Sequence, residues 1–290
     1  MSDFSTPPPP LREVIHLFNL RPDKSLGQHF LLEADLLARI AAAAGDLAGL
    51  NVVEIGPGPG GLTRALLATK AAHVTTIEYD PRAAAAIRAL AELTTRLNVI
   101  EADALRADIP ALVPAPRAIV ANLPYNIGTL LLVRWLEQAA SYQSMTLMFQ
   151  LEVAERICAV PGTSAYGRLS VLAQWLCAVS LQMHIPAGAF APPPKVDSAL
   201  VRLVPRAPQP PRAQLRAMER LTAAAFGQRR KMLRGALKGL GGAALLEEAG
   251  IDPQRRAETL TIAEFETLMH RLLAREGHEQ SPVERSASPL

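Results

Sequence analysis

Apolar, strand-like runs alternate with helical segments through the first two thirds of this 290-residue chain. NVVEIG (51–56) is followed by the helical GLTRALLATK (61–70), and HVTTIEYD (73–80) is followed by PRAAAAIRALAEL (81–93). Because strands separated in this way pair in parallel through crossover helices, the pattern predicts a mainly parallel sheet with helices on both faces. Ligands of such sheets bind beyond the carboxyl ends of the strands. The residues that follow each strand are therefore the first candidates for a functional site.

The same alternation continues to residue 204. Further strands are predicted at LNVIEAD (97–103), RAIVANLPY (117–125), SMTLMFQ (144–150), AVSLQMHI (178–185) and KVDSALVRLV (195–204). We expect the last two to form a closing pair. Helices are predicted at 31–45, 129–140 and 166–177, where apolar residues recur at helical spacing.

The proline-rich stretch PRAPQPPR (205–212) indicates a domain boundary. Beyond it, residues 213–240 and 262–276 have helical spacing without a strand pattern, which predicts a small all-α domain. The early proline run and the aperiodic end of the chain predict disordered tails. We therefore expect four parts: a tail over 1–11, an α/β domain over 12–204, a helical domain over 205–276 and a tail over 277–290.

Composition and cysteine content exclude several classes of protein. The chain is 49% hydrophobic and 20% charged, which is the composition of a globular protein. Its two cysteines fit neither a disulfide framework nor a zinc pattern, so we expect no metal. The opening residues lack an apolar signal segment, and the longest apolar zone, 169–183, is too short to span a membrane. We expect a cytoplasmic protein that makes no membrane contact.

The chain is mildly basic, with a net charge of +3 and a pI of about 9.1, which is compatible with a polyanionic partner. Basic residues concentrate between Arg206 and Lys238, where Glu219 is the only acid. A solvated helix face and a phosphate-facing surface would both produce this pattern. Charge alone favours the solvated face.

A glycine-rich loop connects the strand at 51–56 to the next helix. Gly56, Gly58 and Gly61 match the spacing G-x-G-x-x-G. Glycine lets the backbone turn sharply and approach a ligand closely. Glu78, at the end of the next strand, is placed to accept hydrogen bonds from ribose hydroxyls. A tight structural turn would explain the glycines alone, but the strand before them and Glu78 after them favour a nucleotide site.

Two nucleotide-containing cofactors compete for this site. A dinucleotide needs free backbone N–H groups for its pyrophosphate, and Pro57 and Pro59 remove two of them. S-adenosylmethionine has no phosphate, and Glu54 would suit its positively charged methionine end. Asp103, at the end of the third strand, can accept a hydrogen bond from an adenine amino group. These residues favour S-adenosylmethionine.

The fourth strand ends in Asn-Leu-Pro-Tyr, residues 122–125. An isolated match is by default an Asn–Pro turn with a packed tyrosine. As a unit, however, the four residues suit chemistry at the exocyclic amine of adenine. The side-chain oxygen of Asn122 and the main-chain carbonyl of Leu123 can accept its two N–H groups. Pro124 fixes the backbone that presents this carbonyl, and Tyr125 offers a ring on which the base stacks.

The chain resembles the ribosomal RNA adenine dimethyltransferases of the KsgA/RsmA type over roughly residues 20–275. Seven motifs occur in the order found in that family: PDKSLGQHFL, VVEIGPGPGGLT, IEYD, ADAL, NLPYN, FAPPPKVDSALVRL and FGQRRKMLRGAL. Each motif is modest evidence by itself. Seven in order, spread over both expected domains, are specific to this family.

The resemblance implies a class I, Rossmann-like methyltransferase domain followed by a small helical domain. It implies transfer of methyl groups from S-adenosylmethionine to N6 of two adjacent adenosines. These adenosines lie in the 3′-terminal hairpin loop of small-subunit (16S) rRNA, and the implied partner is the assembling 30S-type subunit. We expect a monomer. Two alternatives remain: a large-subunit rRNA adenine dimethyltransferase and a non-catalytic, RNA-binding assembly factor.

Matching the motifs residue by residue also implies roles. The cofactor would be held by His29, Leu31, Gly56, Gly58, Glu78, Asp103 and Asn122. The target adenine would be held by Asn122, Leu123, Pro124 and Tyr125. Many members of the family have asparagine at the position of His29.

Other implied roles are less specific. Phe190 resembles the family's second aromatic residue near the target adenine, and core packing before a rigid proline turn accounts for it equally. The run Arg229, Arg230, Lys231 would contact RNA. Lys195 would do the same, although an exposed lysine without a partner would also explain it.

Overall fold

The computed structural model describes residues 4–20 and 29–279, except for the side chains of residues 278 and 279. The described chain forms two compact units. The first contains the described residues up to Cys158 together with Leu176–Gln209. The second contains Ala159–Trp175 together with the described residues from Pro210 onward.

Nine strands occur among the described residues. In chain order they are β1 (Phe30–Leu31), β2 (Asn51–Ile55), β3 (His73–Glu78), β4 (Leu97–Glu101), β5 (Arg117–Asn122), β6 (Ser144–Gln150), β7 (Cys177–Ile185), β8 (Phe190–Ala191) and β9 (Ser198–Pro205). Seven of them form one sheet with the spatial order β4-β3-β2-β5-β6-β9-β7. Strands β2 to β6 pair in parallel, whereas β9 is antiparallel to β6 and β7. The predicted mainly parallel sheet is confirmed.

The helices connect these strands and build the second unit. Those of the first unit are α1 (Leu11–Leu17), α2 (Ala34–Ala43), α3 (Gly61–Leu67), α4 (Pro81–Ala91), α5 (Ile109–Leu112), α6 (Gly128–Leu136) and α7 (Leu151–Cys158). The others are α8 (Arg168–Leu176), α9 (Arg212–Gly227), α10 (Leu233–Ala236), α11 (Gly242–Glu248) and α12 (Ile262–Glu279). No helix of the described ranges is long and apolar enough to cross a membrane.

The order of the strands creates a crevice at the centre of the sheet. From β2 the chain moves outward through β3 to β4, and it then returns to place β5 on the other side of β2. Since right-handed crossovers on the two sides of β2 place their helices on opposite faces, a crevice opens between the carboxyl ends of β2 and β5. Gly56 follows β2 and Asn122 ends β5. A Cβ atom built on Gly56 would lie 3.8 Å from Cδ of Pro124, so the two strand ends are close together.

A second, two-stranded sheet lies beside this crevice. Strand β1 pairs with β8 in antiparallel fashion, with Phe30 opposite Ala191 and Leu31 opposite Phe190. This pairing joins the segment before α2 to the proline-rich segment before β9. Leu31 and Phe190 are both buried in the hydrophobic core of the first unit.

The ends of the chain differ in part from the expected tails. Residues 1–3 and 280–290 of those tails lie outside the described residues. Within the described part, Phe4 packs against the core and the Ser5 N–H donates to the Leu93 carbonyl at 2.9 Å. At the other end, α12 continues to Glu279.

The second unit contains a segment that we predicted to belong to the α/β domain. Residues 159–175 group with the C-terminal helices because contacts between distant residues hold them there. The Gly162 N–H donates to the Glu258 carbonyl at 2.7 Å, and Tyr166 packs edge-on against Phe226 with ring centroids 6.0 Å apart. Phe226 in turn stacks on Phe265.

The helix predicted over 213–240 is interrupted. Helix α9 ends at Gly227, and the chain turns before α10 begins at Leu233. Gln228 (φ −126°, ψ 58°) and Met232 (φ −64°, ψ 151°) both have non-helical backbone conformations. The guanidinium of Arg229 stabilises the turn by donating to the carbonyls of Ser164 and Tyr166.

Candidate active site

A cavity of about 280 Å³ opens at the crevice between β2 and β5. Its walls come from the carboxyl ends of β2, β3, β4 and β5 and from the segment around β1. It is lined by ten residues that received roles from matching the family motifs: His29, Leu31, Gly56, Gly58, Glu78, Asp103, Asn122, Leu123, Pro124 and Tyr125. Parallel pairing therefore brings together side chains that are far apart in the sequence.

The glycine loop forms the floor between β2 and α3. Gly56 (φ 65°) and Gly58 (φ 53°) adopt left-handed backbone conformations that favour glycine. A Cβ atom on Gly58 would also lie 3.0 Å from the ring of Phe30. The Gly58 N–H donates to Oε2 of Glu78 at 3.2 Å, so the loop is tied directly to the end of β3.

Glu78 is held by three backbone N–H groups. Its side chain is 5% exposed, and its Oε1 accepts from Tyr79 (2.8 Å) and Asp80 (2.9 Å) in addition to the Gly58 contact at Oε2. Burial raises the pKa of Glu78, and the three N–H donations oppose that rise. Because a carboxylate has about four acceptor positions, one position on Oε2 is left for a ligand hydroxyl.

The wall after β4 is built around Asp103. Its Oδ1 accepts from the Leu105 N–H at 2.9 Å, which fixes the carboxylate at the edge of the cavity. The guanidinium of Arg134, on α6, donates to the Leu105 carbonyl and so connects this wall to the helix that follows β5. Leu105 itself lines the cavity.

The carboxyl group of Glu54 lies under the glycine loop. It is 2% exposed, it lines the cavity, and its Oε2 accepts from the Thr63 hydroxyl at 2.6 Å. Burial raises its pKa to about 8, the Thr63 hydrogen bond opposes this rise, and the negative charge of Glu78 adds to it. Among the described residues no cationic side chain pairs with Glu54. A positively charged ligand group would supply the missing partner.

We expect Glu54→Gln to make the ligand-free protein more stable than the wild type at alkaline pH. Since the folded-state pKa lies above the ordinary value of 4.5, wild-type stability falls as pH rises from about 4.5 through 8. The amide cannot ionise, so the advantage of the variant should grow over this window to on the order of 5 kcal/mol. Urea unfolding of both proteins at several pH values measures it. A difference that stays constant with pH would contradict a buried, titrating Glu54.

The end of β5 presents Asn122 to the cavity in a defined orientation. Its Nδ2 donates to the main-chain carbonyl of His29 at 3.3 Å, and no hydrogen bond to its Oδ1 is found within the described ranges. The amide oxygen is therefore the atom available to a ligand. Leu123 is 2% exposed, and the Pro124 carbonyl accepts from the N–H groups of Ile127 and Gly128 at the start of α6.

Three rings lie near this strand end. The Tyr125 ring lies 5.4 Å from the His29 ring between centroids, at an interplanar angle of 31°. The Phe190 ring meets the His29 ring edge-on at 6.4 Å. The Tyr125 hydroxyl forms a 2.6 Å hydrogen bond with the hydroxyl of the buried Ser198, and burial raises the pKa of Tyr125.

The remaining predicted residues do not line the cavity. Phe190 is 4% exposed and belongs to the hydrophobic core, although its edge reaches His29. Lys195 is exposed. Arg230 and Lys231 are exposed in the second unit, where Arg229 is already bound to the two carbonyls described above.

Sequence reasoning missed three residues of the site. Thr63 and Ser198 hold Glu54 and Tyr125 through contacts that no local pattern reveals. Tyr79 lines the cavity with a ring that is 69% exposed. The scarcity of aromatic residues, 4% of the chain, is the one sequence signal that could have directed attention to this tyrosine beside Glu78.

Comparison with models of known protein families shows to which family this chain belongs. The chain matches the model of the ribosomal RNA adenine dimethylase family over residues 19–273. The chain belongs to this family. It is accordingly an S-adenosylmethionine-dependent adenine dimethyltransferase, and the predicted family and cofactor class are confirmed.

Individual members of the family are similar along most of the chain. The protein named ribosomal RNA small subunit methyltransferase A of Gluconobacter oxydans is 58% identical, over 92% of this chain and 88% of its own length. The protein of the same name from Sphingopyxis alaskensis is 55% identical, over 91% of this chain and 99% of its own length.

Solved structures of the family have the same architecture. A dimethyladenosine transferase from Plasmodium falciparum is 27% identical, with a TM-score of 0.73, and the match covers 87% of this chain and 98% of that one. The 23S rRNA methyltransferase ErmE is 32% identical, with a TM-score of 0.65, and the match covers 84% and 99% of the two chains. The predicted class I methyltransferase fold is thereby confirmed.

The residues of the cavity fit S-adenosylmethionine. This ligand is cationic, and Glu54 is a buried carboxyl group without a cationic partner among the described residues. Glu78 retains one acceptor position, and Asp103 presents a carboxylate at the cavity edge. When bound, S-adenosylmethionine supplies a methyl group on a positively charged sulfur.

Proposed function

We propose that this dimethyltransferase methylates N6 of two adjacent adenosines in the 3′-terminal hairpin loop of small-subunit (16S) rRNA. Both named relatives carry small-subunit methyltransferase names, at 55% to 58% identity over about nine tenths of the chain. The modification takes place on the assembling 30S-type subunit. We further propose that the enzyme acts in the cytoplasm as a monomer.

The orientation of the Asn122 amide is the observation that carries the adenine-N6 chemistry of this proposal. Since Nδ2 is bound to the His29 carbonyl, Oδ1 is left to accept one N–H of the adenine amine. The Leu123 carbonyl accepts the other N–H, and Tyr125 stacks on the base. The lone pair of an adenine amine is delocalised into the ring, and two acceptors favour a pyramidal nitrogen whose lone pair can attack. No strong base is needed for that attack.

The rest of the cavity positions the methyl donor for this attack. Glu78 and Asp103 would hold its ribose and its adenine, while Glu54, Gly56 and Gly58 would hold its methionine end. His29 and Leu31 would line the same methyl-donor site. Holding two reactants in line can contribute about 7–11 kcal/mol to lowering the barrier.

Exposed cations offer a means of binding the RNA. Lys195 in the first unit and Arg230 and Lys231 in the second are exposed, and lysine and arginine bind phosphates by charge. Arg229 contributes differently, because its guanidinium already orders the turn that carries Arg230 and Lys231. Extruding a base from RNA costs a few kcal/mol, and phosphate contacts offset part of this cost.

A second candidate is methylation of large-subunit rRNA. The similarity to ErmE, a 23S rRNA methyltransferase, favours it, but the identity of 32% is well below that of the small-subunit relatives. A non-catalytic assembly factor is disfavoured, because Asn122, Glu78 and Asp103 are all retained and line one cavity.

Mass spectrometry of digested rRNA tests the proposal. The purified protein and S-adenosylmethionine are incubated with small subunits that lack the modification and, in parallel, with unmodified large subunits. We expect N6,N6-dimethyladenosine in the small-subunit rRNA alone. Its absence there, with a folded and cofactor-binding protein, would overturn the proposal, and its appearance in large-subunit rRNA would support the second candidate.

A further inference from the structure

We propose that Asp197 is a positioning residue of the target-adenine site. Its carboxylate ties together the two ends of the loop over residues 186–197. This loop contains Phe190 and leads directly into Ser198, which is the hydrogen-bond partner of Tyr125. The inference rests on the proposed roles of Tyr125 and Phe190 beside the target base, and it adds a residue that keeps both rings in place.

The loop over residues 186–197 connects the end of β7 to the start of β9 and contains β8. Phe190, in β8, pairs with Leu31 of β1 and meets the His29 ring edge-on. Nδ1 of His29 also lies 2.8 Å from the Pro192 carbonyl oxygen. The middle of the loop is therefore in contact with the segment around β1, which lines the cavity.

The side chain of Asp197 closes this loop. Its Oδ1 accepts from the Ala187 N–H at 2.9 Å, and its Oδ2 lies 3.1 Å from Nε2 of His184. Ala187 is the first residue of the short 3₁₀ turn Ala187–Ala189, which directly precedes Phe190. One carboxylate thus joins the start of the loop to its end. Closing a loop at its ends restricts the conformations that the residues between them can adopt.

The main chain of Asp197 fixes the start of β9. Its carbonyl accepts from the Leu151 N–H at 2.9 Å, and the next residue, Ser198, begins β9 between β6 and β7. Ser198 is fully buried, and its hydroxyl forms the 2.6 Å hydrogen bond with Tyr125. Asp197 therefore connects the turn before Phe190 to the partner of the Tyr125 hydroxyl.

Loss of the contact between Asp197 and Ala187 should affect the target base and not the cofactor. Without it, the turn before Phe190 is no longer held to the start of β9. A displacement of about 1 Å in a site that holds two reactants in line can cost about 100-fold in rate. Glu78 and Asp103, which we assign to the cofactor, belong to the half of the sheet that contains β3 and β4.

Single-turnover methylation of unmodified small subunits by the full-length enzyme tests this role. Asp197→Ala removes the acceptor of the Ala187 N–H, and we expect it to slow methyl transfer about 30-fold. Asp197→Asn keeps an oxygen for that N–H, so its rate should stay within about threefold of the wild type. Calorimetric titration should give both variants an S-adenosylmethionine affinity within about twofold of the wild type.

Ala187→Pro tests the same contact from its other end. Proline removes the N–H and is compatible with the first position of a 3₁₀ turn. We expect about the same 30-fold loss as in Asp197→Ala. The double variant should be no slower than either single variant, because all three lack one and the same hydrogen bond. Losses that multiply in the double variant would overturn the proposed contact.

Two control variants separate this contact from others. Asp46→Ala is a matched control, because Oδ1 of Asp46 also accepts a backbone N–H at 2.9 Å, from Ala48 between α2 and β2. We expect it to leave the rate unchanged. His184→Ala removes the contact at Oδ2 of Asp197, whose two side chains are 52% and 40% exposed, and should cost no more than about threefold. Urea unfolding establishes that each variant is folded under the assay conditions.

The outcomes also distinguish this inference from the proposed function. If the wild type methylates large subunits and leaves small subunits unmodified, the proposed function fails, and the same variants are compared on large subunits. If Asp197→Ala and Ala187→Pro keep the wild-type rate, or lose cofactor affinity in proportion to their rate, the role of Asp197 is overturned and the proposed function stands. An Asp197→Asn enzyme as slow as Asp197→Ala would also overturn it, since the Ala187 N–H would still have an acceptor.

Discussion

Asn122→Ala is expected to lower the rate of methyl transfer about a thousandfold, the largest effect of any single substitution considered for this enzyme. The variant loses the Oδ1 acceptor that orients the adenine amine and the Nδ2 contact with the His29 carbonyl. Single-turnover methylation of unmodified small subunits measures the rate. Cofactor affinity should change by no more than about fivefold, because Glu54, Glu78 and Asp103 are untouched.

Two further variants test whether the loss of rate is specific to the Asn122 side chain. Asn122→Asp keeps the size of the side chain but cannot donate to the His29 carbonyl, so it should be nearly as slow as Asn122→Ala. Asn51→Ala is a matched control, because Asn51 begins β2 at the opposite edge of the sheet and donates to the Pro114 carbonyl. We expect it to leave the rate unchanged. A fast Asn122→Ala enzyme would show that the Leu123 carbonyl alone orients the amine.

The central sheet could be predicted because its strands are buried. Val52, Val53, Ile119 and Val120 are fully buried, and such strands appear in the sequence as continuous apolar runs with polar or glycine residues after them. The same runs place Glu78 and Asn122 at strand ends and Asp103 two residues after one. The candidate site could therefore be located from the rule that parallel strands end at one edge.

Contacts between distant residues could not be predicted. Strands β1 and β8 have two residues each, and their pairing across 160 positions of chain gives no periodic signal. For the same reason the sequence did not predict that residues 159–175 belong to the second unit. Their place there depends on contacts of Gly162 and Tyr166 with residues much later in the chain. It also concealed that Arg229 binds backbone carbonyls rather than being fully available to RNA.

The sequence predicts that Glu54 carries a charge at the site but not how burial changes its pKa. Glu54 was expected to face a cationic ligand, and the structure adds that burial favours its neutral form in the absence of such a ligand. That property results from burial and is opposed by the hydrogen bond from Thr63, and sequence spacing reveals neither. The positions of the site residues could therefore be predicted from the strand ends. The pKa of Glu54 could not, because it depends on burial in the folded chain.

Tyr125→Ala is expected to reduce kcat/KM for small subunits about 100-fold while leaving cofactor affinity nearly unchanged. Stacking of a base on an aromatic ring contributes roughly 1–3 kcal/mol, and loss of the platform also allows the amine to move away from Asn122. Steady-state methylation and calorimetric titration of S-adenosylmethionine measure the two quantities separately.

Tyr125→Phe is the control that separates the ring from its hydroxyl. It keeps the stacking surface beside His29 and removes the 2.6 Å hydrogen bond to Ser198. Because that bond only steadies the ring, we expect a loss of no more than about tenfold, and Ser198→Ala should have a similar effect. If Tyr125→Ala instead lost cofactor affinity in proportion to its rate, the ring would support the fold of the cavity and would not be a platform for the base.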